Sequence, residues 1–174
     1  MKRVLFICTG NYYRSRYAEA FFNYRSMLDG LPFEAFSRGL APHLVEGDLP
    51  LSPWVTQALH HRGIPIEMTG SRRALLTAAD LESAHFIVAL KEKEHRPLME
   101  ASFPDWVGRI AYWTVHDIDV ARPEETLPFI EAQVEQFMAS LMRGTDRASV
   151  KIACGEKATI GESNKANDPK VSRF

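Results

Sequence analysis

Cysteine is scarce in this sequence: among 174 residues there are two, Cys8 and Cys154. Two thiols cannot staple a disulfide-built secreted domain, and they cannot form a Cys-rich structural zinc site. Long apolar runs are missing too. None approaches 18 residues, so no transmembrane helix is expected. The opening Met-Lys-Arg-Val-Leu-Phe-Ile-Cys has two basic residues and only five apolar ones before Thr9. That is too short for a signal-peptide core, and with so few cysteines it leads to the expectation of a reducing, cytoplasmic setting. Neither charge sign is in excess, with 21 basic against 22 acidic residues, net charge −1 and pI about 6.6. Broad binding to nucleic acid or to an anionic membrane needs a basic surplus that is absent. What the chain does have is 45% hydrophobic residues, enough at this length for one sizeable core.

Arg3 to Cys8 is a short, continuous apolar run rich in β-branched and aromatic residues, which predicts a strand buried on both faces. Thr9-Gly10-Asn11 is a turn signal. A helical pattern follows from Arg14 to about Leu28, with Tyr17, Ala18, Phe21, Phe22 and Met27 or Leu28 near one face, closed by Asp29-Gly30-Leu31-Pro32. Phe33 to Ser37 is a second strand. Ser52-Pro53 predicts a capped helix start running to His61. Thr77 to Asp80 resembles another helix start. Ala84 to Leu90 is the clearest buried strand. Lys91 to about Ala101 is helix-permissive but interrupted by Pro97, Arg109 to Val115 reads as a fourth strand, and Glu124 to Leu141 is amphipathic. Alternating strands and helices predict an α/β domain with a parallel sheet over residues 1–143. Residues 144–174 turn polar without any period and read as a tail of the composition that disordered segments have.

The chemistry concentrates in Cys8-Thr9-Gly10-Asn11-Tyr12-Tyr13-Arg14-Ser15. In an open α/β sheet, ligands bind at the carboxyl ends of strands, where Cys8 falls. The helix beginning near Arg14 aims free N–H groups and its positive dipole end at the loop. Gly10 and Asn11 tolerate the positive φ that a curved anion nest requires. Arg14 adds a planar fork matched to phosphate oxygens. The same field stabilises a thiolate and makes Cys8 a nucleophile. Ser15 is placed to donate a hydrogen bond to that sulfur.

Val4 to Asn11 followed by Arg14-Ser15 resembles the low-molecular-weight protein tyrosine phosphatase family, whose phosphate loop lies at the extreme N-terminus. Phe36-Ser37-Arg38-Gly39, Gly63-Ile64-Pro65, Leu76-Thr77, Phe86-Ile87-Val88 and Trp113-Thr114-Val115-His116-Asp117 match in type and order. The resemblance implies a three-layer α/β/α fold with a four-stranded parallel sheet. It also implies metal-free, cofactor-free hydrolysis of a phosphomonoester through a cysteinyl-phosphate. Cys8 would attack, Arg14 and the loop residues Thr9, Gly10, Asn11, Tyr12, Tyr13 and Ser15 would hold the phosphate, and an aspartate would act as general acid and base. Asp117 fits the Trp-x-Val-x-Asp spacing. Asp119 is the alternative, because Ile118 stands where the family usually has proline. Ser37 would brace Asn11, and Tyr12 would line the pocket mouth.

This sequence departs from the family pattern at four further places. Tyr13 occupies the position of a second loop cysteine, Arg16 that of a proline, Ser71 that of a histidine, and Lys91 that of an aspartate after the third strand. The implied substrate is a phosphorylated protein, with phosphotyrosine first, or a small phosphomonoester. An arsenate reductase-like enzyme and a non-catalytic phosphopeptide-binding module are the competing readings.

Overall fold

The computed structural model describes residues 1–117 and 121–143. Four strands form one parallel sheet in the order β2-β1-β3-β4: β1 (Lys2–Cys8), β2 (Phe33–Gly39), β3 (Phe86–Ala89) and β4 (Ala111–Tyr112). Among the described residues five α-helices accompany them: α1 (Arg14–Leu28), α2 (Pro53–His61), α3 (Ala78–Ser83), α4 (Glu92–Ser102) and α5 (Pro123–Arg143). The fold is a three-layer α/β/α sandwich.

The apolar run of β1 is explained by its central place. Val4 and Phe6 point into a core shared with α1, α2 and α5, whereas Leu5 and Ile7 point into a second core with α3 and α4. All four are fully buried, as a strand covered on both faces requires. In β3 the same alternation puts Phe86 and Val88 on one side and Ile87 and Ala89 on the other. The larger core centres on Phe137 of α5. Its ring lies 6.5 Å from Phe6, 6.3 Å from Phe22, 6.2 Å from Phe86 and 6.1 Å from Trp113, centroid to centroid, mostly edge to face.

Four local expectations are corrected. Met27 and Leu28 are 54% and 58% exposed, because the last turn of α1 buries Ser26 instead, whose hydroxyl donates to the Leu31 and Phe33 carbonyls. Ser52 makes no side-chain cap on α2; it is buried, and its N–H donates to the Tyr12 carbonyl at 3.1 Å. Pro97 does not interrupt α4. It sits on the exposed face, where water can take the carbonyl that its missing N–H leaves unpaired. The fourth strand is two residues long rather than seven: Arg109 ends a 3-10 turn, and beyond Tyr112 the chain bends so that Thr114 pairs antiparallel with Lys91. That bend carries His116 and Asp117 over the carboxyl end of the sheet. The polar tail expected over 144–174 lies outside the described residues.

Truncating Phe137 leaves a cavity against four rings. Phe137→Ala is expected to lower stability by about 3–5 kcal/mol, read as a shifted denaturant midpoint with an unchanged slope. A loss below about 1 kcal/mol would show that α5 is not anchored through this ring.

Candidate active site

In the register of the sheet Cys8 lies beside Gly39, and the chain leaves β1 there to enter the loop. Gly39 has to be glycine: a Cβ there would lie 2.8 Å from the Thr9 carbonyl oxygen and 3.0 Å from Asn11. A Cβ on Gly10 would run into Val45 Cγ2. At the apex Asn11 takes a left-handed φ of 50° while fully buried, a conformation that asparagine adopts more readily than most residues. Its side chain is the loop's brace. Nδ2 donates to Ser37 Oγ at 2.8 Å and to Ser15 Oγ at 3.2 Å, and Oδ1 accepts the Ala74 N–H at 2.9 Å.

Cys8 is 3% exposed. Its sulfur accepts the Asn11 N–H at 3.2 Å and lies 2.9 Å from Ser15 Oγ. α1 begins at Arg14 with no side-chain cap and no acidic residue in its first turn, so its dipole faces the loop uncompensated. The loop residues divide. Thr9 and Tyr12 stay partly exposed, whereas the ring of Tyr13 turns into the main core. Burial pushes the Tyr13 phenol up to about 12, so it is neither acid nor base at neutral pH; what Tyr13 can offer a phosphate is its main chain. Arg73 donates to the Val45 and Gly47 carbonyls at 3.0 and 2.7 Å and stands 5.9 Å from the Tyr12 ring centre. It thus ties down the loop facing Tyr12.

Arg14 is 1% exposed, and two carboxylates meet it. Nη1 donates to Glu94 Oε2 at 2.8 Å, Nη2 to Glu94 Oε1 at 2.7 Å, and Nη2 also to Asp117 Oδ2. The structure therefore brings Cys8, Arg14, Ser15, Asn11, Ser37 and Asp117 to one end of the sheet. Asp119 lies outside the described residues.

Sequence reasoning missed Glu94 and His95. Thr9 Oγ1 donates to Glu94 Oε1, joining the loop's first residue to the arginine's partner. Burial alone would raise the Glu94 carboxyl, but polar contacts from His95, Arg14 and Thr9 outweigh it and hold the group well below the usual carboxylate range. His95 is fully buried; its Nδ1 accepts the Lys91 N–H at 2.9 Å and its Nε2 lies 3.4 Å from Glu94 Oε1. The available signal was indirect: a buried arginine requires a carboxylate, and the expected aspartate position holds Lys91.

A second buried network supports the loop from below. Glu19 accepts from Ser37 Oγ at 2.6 Å, Thr69 Oγ1 at 2.7 Å and the Gly70 N–H at 3.1 Å. Burial pushes the Glu19 carboxyl up against these bonds. Arg16 lies 3.8 Å from Glu19 and donates to Thr69 Oγ1, the Pro50 carbonyl and the Gly70 carbonyl. The arginine that replaces proline thus pins the segments around residues 50 and 70 to α1.

Gly39→Ala is expected to displace the loop and cut catalytic efficiency by roughly 100-fold, while the protein stays folded by circular dichroism; near-normal activity would show that the loop tolerates the shift. A pH effect follows from His95. Burial, with Arg14 adding to it, pushes this imidazole below the usual histidine range. The unfolded chain then takes up a proton below about pH 6.5 that the folded chain refuses, so stability falls as pH drops below that value. His95→Gln is expected to flatten the fall between pH 7 and pH 5, by up to about 1.4 kcal/mol per pH unit, in urea unfolding at three pH values. Identical slopes in both proteins would refute this.

The family model described as "Low molecular weight phosphotyrosine protein phosphatase" matches residues 3–147. Among solved structures, the low molecular weight protein tyrosine phosphatase from T. tengcongensis is similar at 28% identity and TM-score 0.67, over 80% of this chain and 99% of that one. YfkJ from Bacillus subtilis is similar at 23% identity and TM-score 0.70, over 82% and 96%. The YwlE arginine phosphatase from Geobacillus stearothermophilus is similar at 22% identity and TM-score 0.64, over 82% and 94%. A comparison with curated proteins gives no match. With a cysteine and an arginine separated by five intervening residues around a strand-to-helix turn, and a family match across most of its length, this chain belongs to the low molecular weight phosphotyrosine protein phosphatase family.

Proposed function

We propose that this phosphatase hydrolyses phosphotyrosine in proteins by two displacements at phosphorus, with Cys8 as nucleophile, Arg14 as phosphate clamp and Asp117 as general acid and base. The observation that carries this reading is the convergence of Cys8 Sγ, the Asn11 N–H, Ser15 Oγ and the Arg14 guanidinium at the junction of β1 and α1. The substrate assignment draws on the family match and on the aromatic Tyr12 at the partly exposed side of the loop. A phenyl ring there can stack on a tyrosyl ring.

In the first step the sulfur lone pair forms the S–P bond as the P–O bond to the leaving group breaks, and Asp117 gives its proton to the departing oxygen. Loop N–H groups and Arg14 hold the equatorial oxygens, where charge is greatest in the transition state. In the second step the Asp117 carboxylate takes a proton from water, the hydroxyl oxygen bonds to phosphorus, and the S–P electrons return to sulfur. The Ser15 hydroxyl, 2.9 Å from the sulfur, eases that departure by hydrogen bonding to the anion. Asp117 contacts Arg14, so a bound phosphate competes with it for the guanidinium and sends it toward the leaving oxygen.

With para-nitrophenyl phosphate, Cys8→Ser is expected to abolish turnover. Asp117→Asn is expected to lower kcat by about 10²–10⁴-fold while tightening inhibition by inorganic phosphate, because a competitor for Arg14 is weakened. Asp119→Asn is expected to keep most activity. Phosphate binding without turnover by the unmodified protein, or loss of activity on Asp119→Asn with Asp117→Asn active, would overturn these roles. A panel of phosphotyrosine, phosphoserine and phosphoarginine substrates tests the specificity; preference for either of the last two refutes phosphotyrosine.

A further inference from the structure

Beyond the proposed chemistry, the surroundings of Arg14 contain a carboxylate to which that mechanism gives no task. Glu94 sits in the first turn of α4 and meets the guanidinium with both oxygens, at 2.8 and 2.7 Å from Nη1 and Nη2. A two-pronged contact of this kind fixes the plane of an arginine fork, which a single contact cannot do. Glu94 also takes the Thr9 hydroxyl, so one carboxylate ties the first residue of the loop to its arginine. The position three residues earlier, where an acidic side chain was expected, holds Lys91, whose Nζ lies against His116. Glu94 also lies beside a buried imidazole. His95 accepts the Lys91 N–H at Nδ1, so the neutral ring carries its proton on Nε2, the atom 3.4 Å from Glu94 Oε1. That Nε2 is buried and, among the described residues, has no hydrogen-bond partner, the 3.4 Å approach to Glu94 being a charge contact only.

We infer that Glu94 is the positioning residue that holds Arg14 in register with the phosphate loop throughout turnover. The inference rests on the reading of Arg14 as the phosphate clamp. Asp117 also touches Arg14, but the mechanism requires it to leave when substrate arrives, so Glu94 is the partner that stays.

The test is anion recognition at Cys8 in the full-length protein. Iodoacetate and iodoacetamide alkylate the same sulfur, but only iodoacetate carries the anion that a correctly placed Arg14 attracts. The ratio of the two rates, followed on the Cys8 peptide by mass spectrometry, reads the position of the guanidinium without any need for turnover. Glu94→Gln is expected to lower that ratio, and to weaken competitive inhibition by inorganic phosphate, by about 10–100-fold. The iodoacetamide rate should change less than about threefold, since the contacts of the sulfur to Asn11 and Ser15 are untouched. Glu94→Asp keeps the charge but loses reach, and an intermediate loss is expected. It also carries the test if Glu94→Gln does not fold. An unchanged ratio and unchanged phosphate inhibition in a folded Glu94 variant would overturn the inference. A ratio in the unmodified protein no higher than that of free cysteine would instead overturn the role of Arg14, so the two failures are distinguishable.

Discussion

A guanidinium removed from water must be paired, and this fold is arranged around that requirement. Arg14 is 1% exposed, and leaving such a charge without a partner would cost about 3–5 kcal/mol. Three separate segments meet that demand. The turn from β1 into α1 supplies the arginine, the first turn of α4 supplies Glu94, and the chain beyond β4 supplies Asp117. These segments are adjacent only because β1, β3 and β4 lie side by side with their carboxyl ends together. The topology of the sheet and the electrostatics of the site are therefore one constraint seen at two scales.

The loop itself is specified by exclusions as much as by attractions. Gly39 gives the Thr9–Asn11 backbone the room it occupies, and Asn11 accepts a backbone conformation that few residues tolerate. Beneath it, Ser37, Glu19, Thr69 and Arg16 form a continuous buried polar path. Satisfied networks of this kind rigidify a site, because every alternative geometry leaves a buried group unpaired. The partners of the Cys8 sulfur, Asn11 and Ser15, are thereby braced by side chains farther along the sequence.

Much of this was legible from residue order. The run from Val4 to Ile7 declared a strand covered on both faces, and the spacing of Cys8 and Arg14 marked the turn between β1 and α1. The apolar positions from Leu127 to Leu141 fitted a helix against the sheet, and the structure buries Leu127, Ile130, Val134, Phe137, Met138 and Leu141 there. What escaped was long-range or conditional. Glu94 is 80 residues from the arginine it meets, and nothing in the surrounding polar stretch marks it out from its neighbours. Pro97 was misjudged because the cost of proline in a helix depends on whether the orphaned carbonyl faces water. β4 was overestimated because a β-like composition continued into residues that instead bend across the end of the sheet.

The position of β1 also bears on how the protein is made. The first strand of the chain is central in the sheet, and its second neighbour, β3, begins at Phe86. At typical synthesis rates of about 5–20 residues per second, roughly 4–16 seconds separate the two strands as the chain is made. During that interval Val4–Ile7 has one edge unclaimed and apolar surface to cover on both sides. The pairing of Arg14 is incomplete for longer still, since Glu94 and Asp117 follow β3. The nascent chain therefore carries Cys8 and Arg14 well before the two carboxylates that meet the guanidinium, and this end of the sheet is completed late.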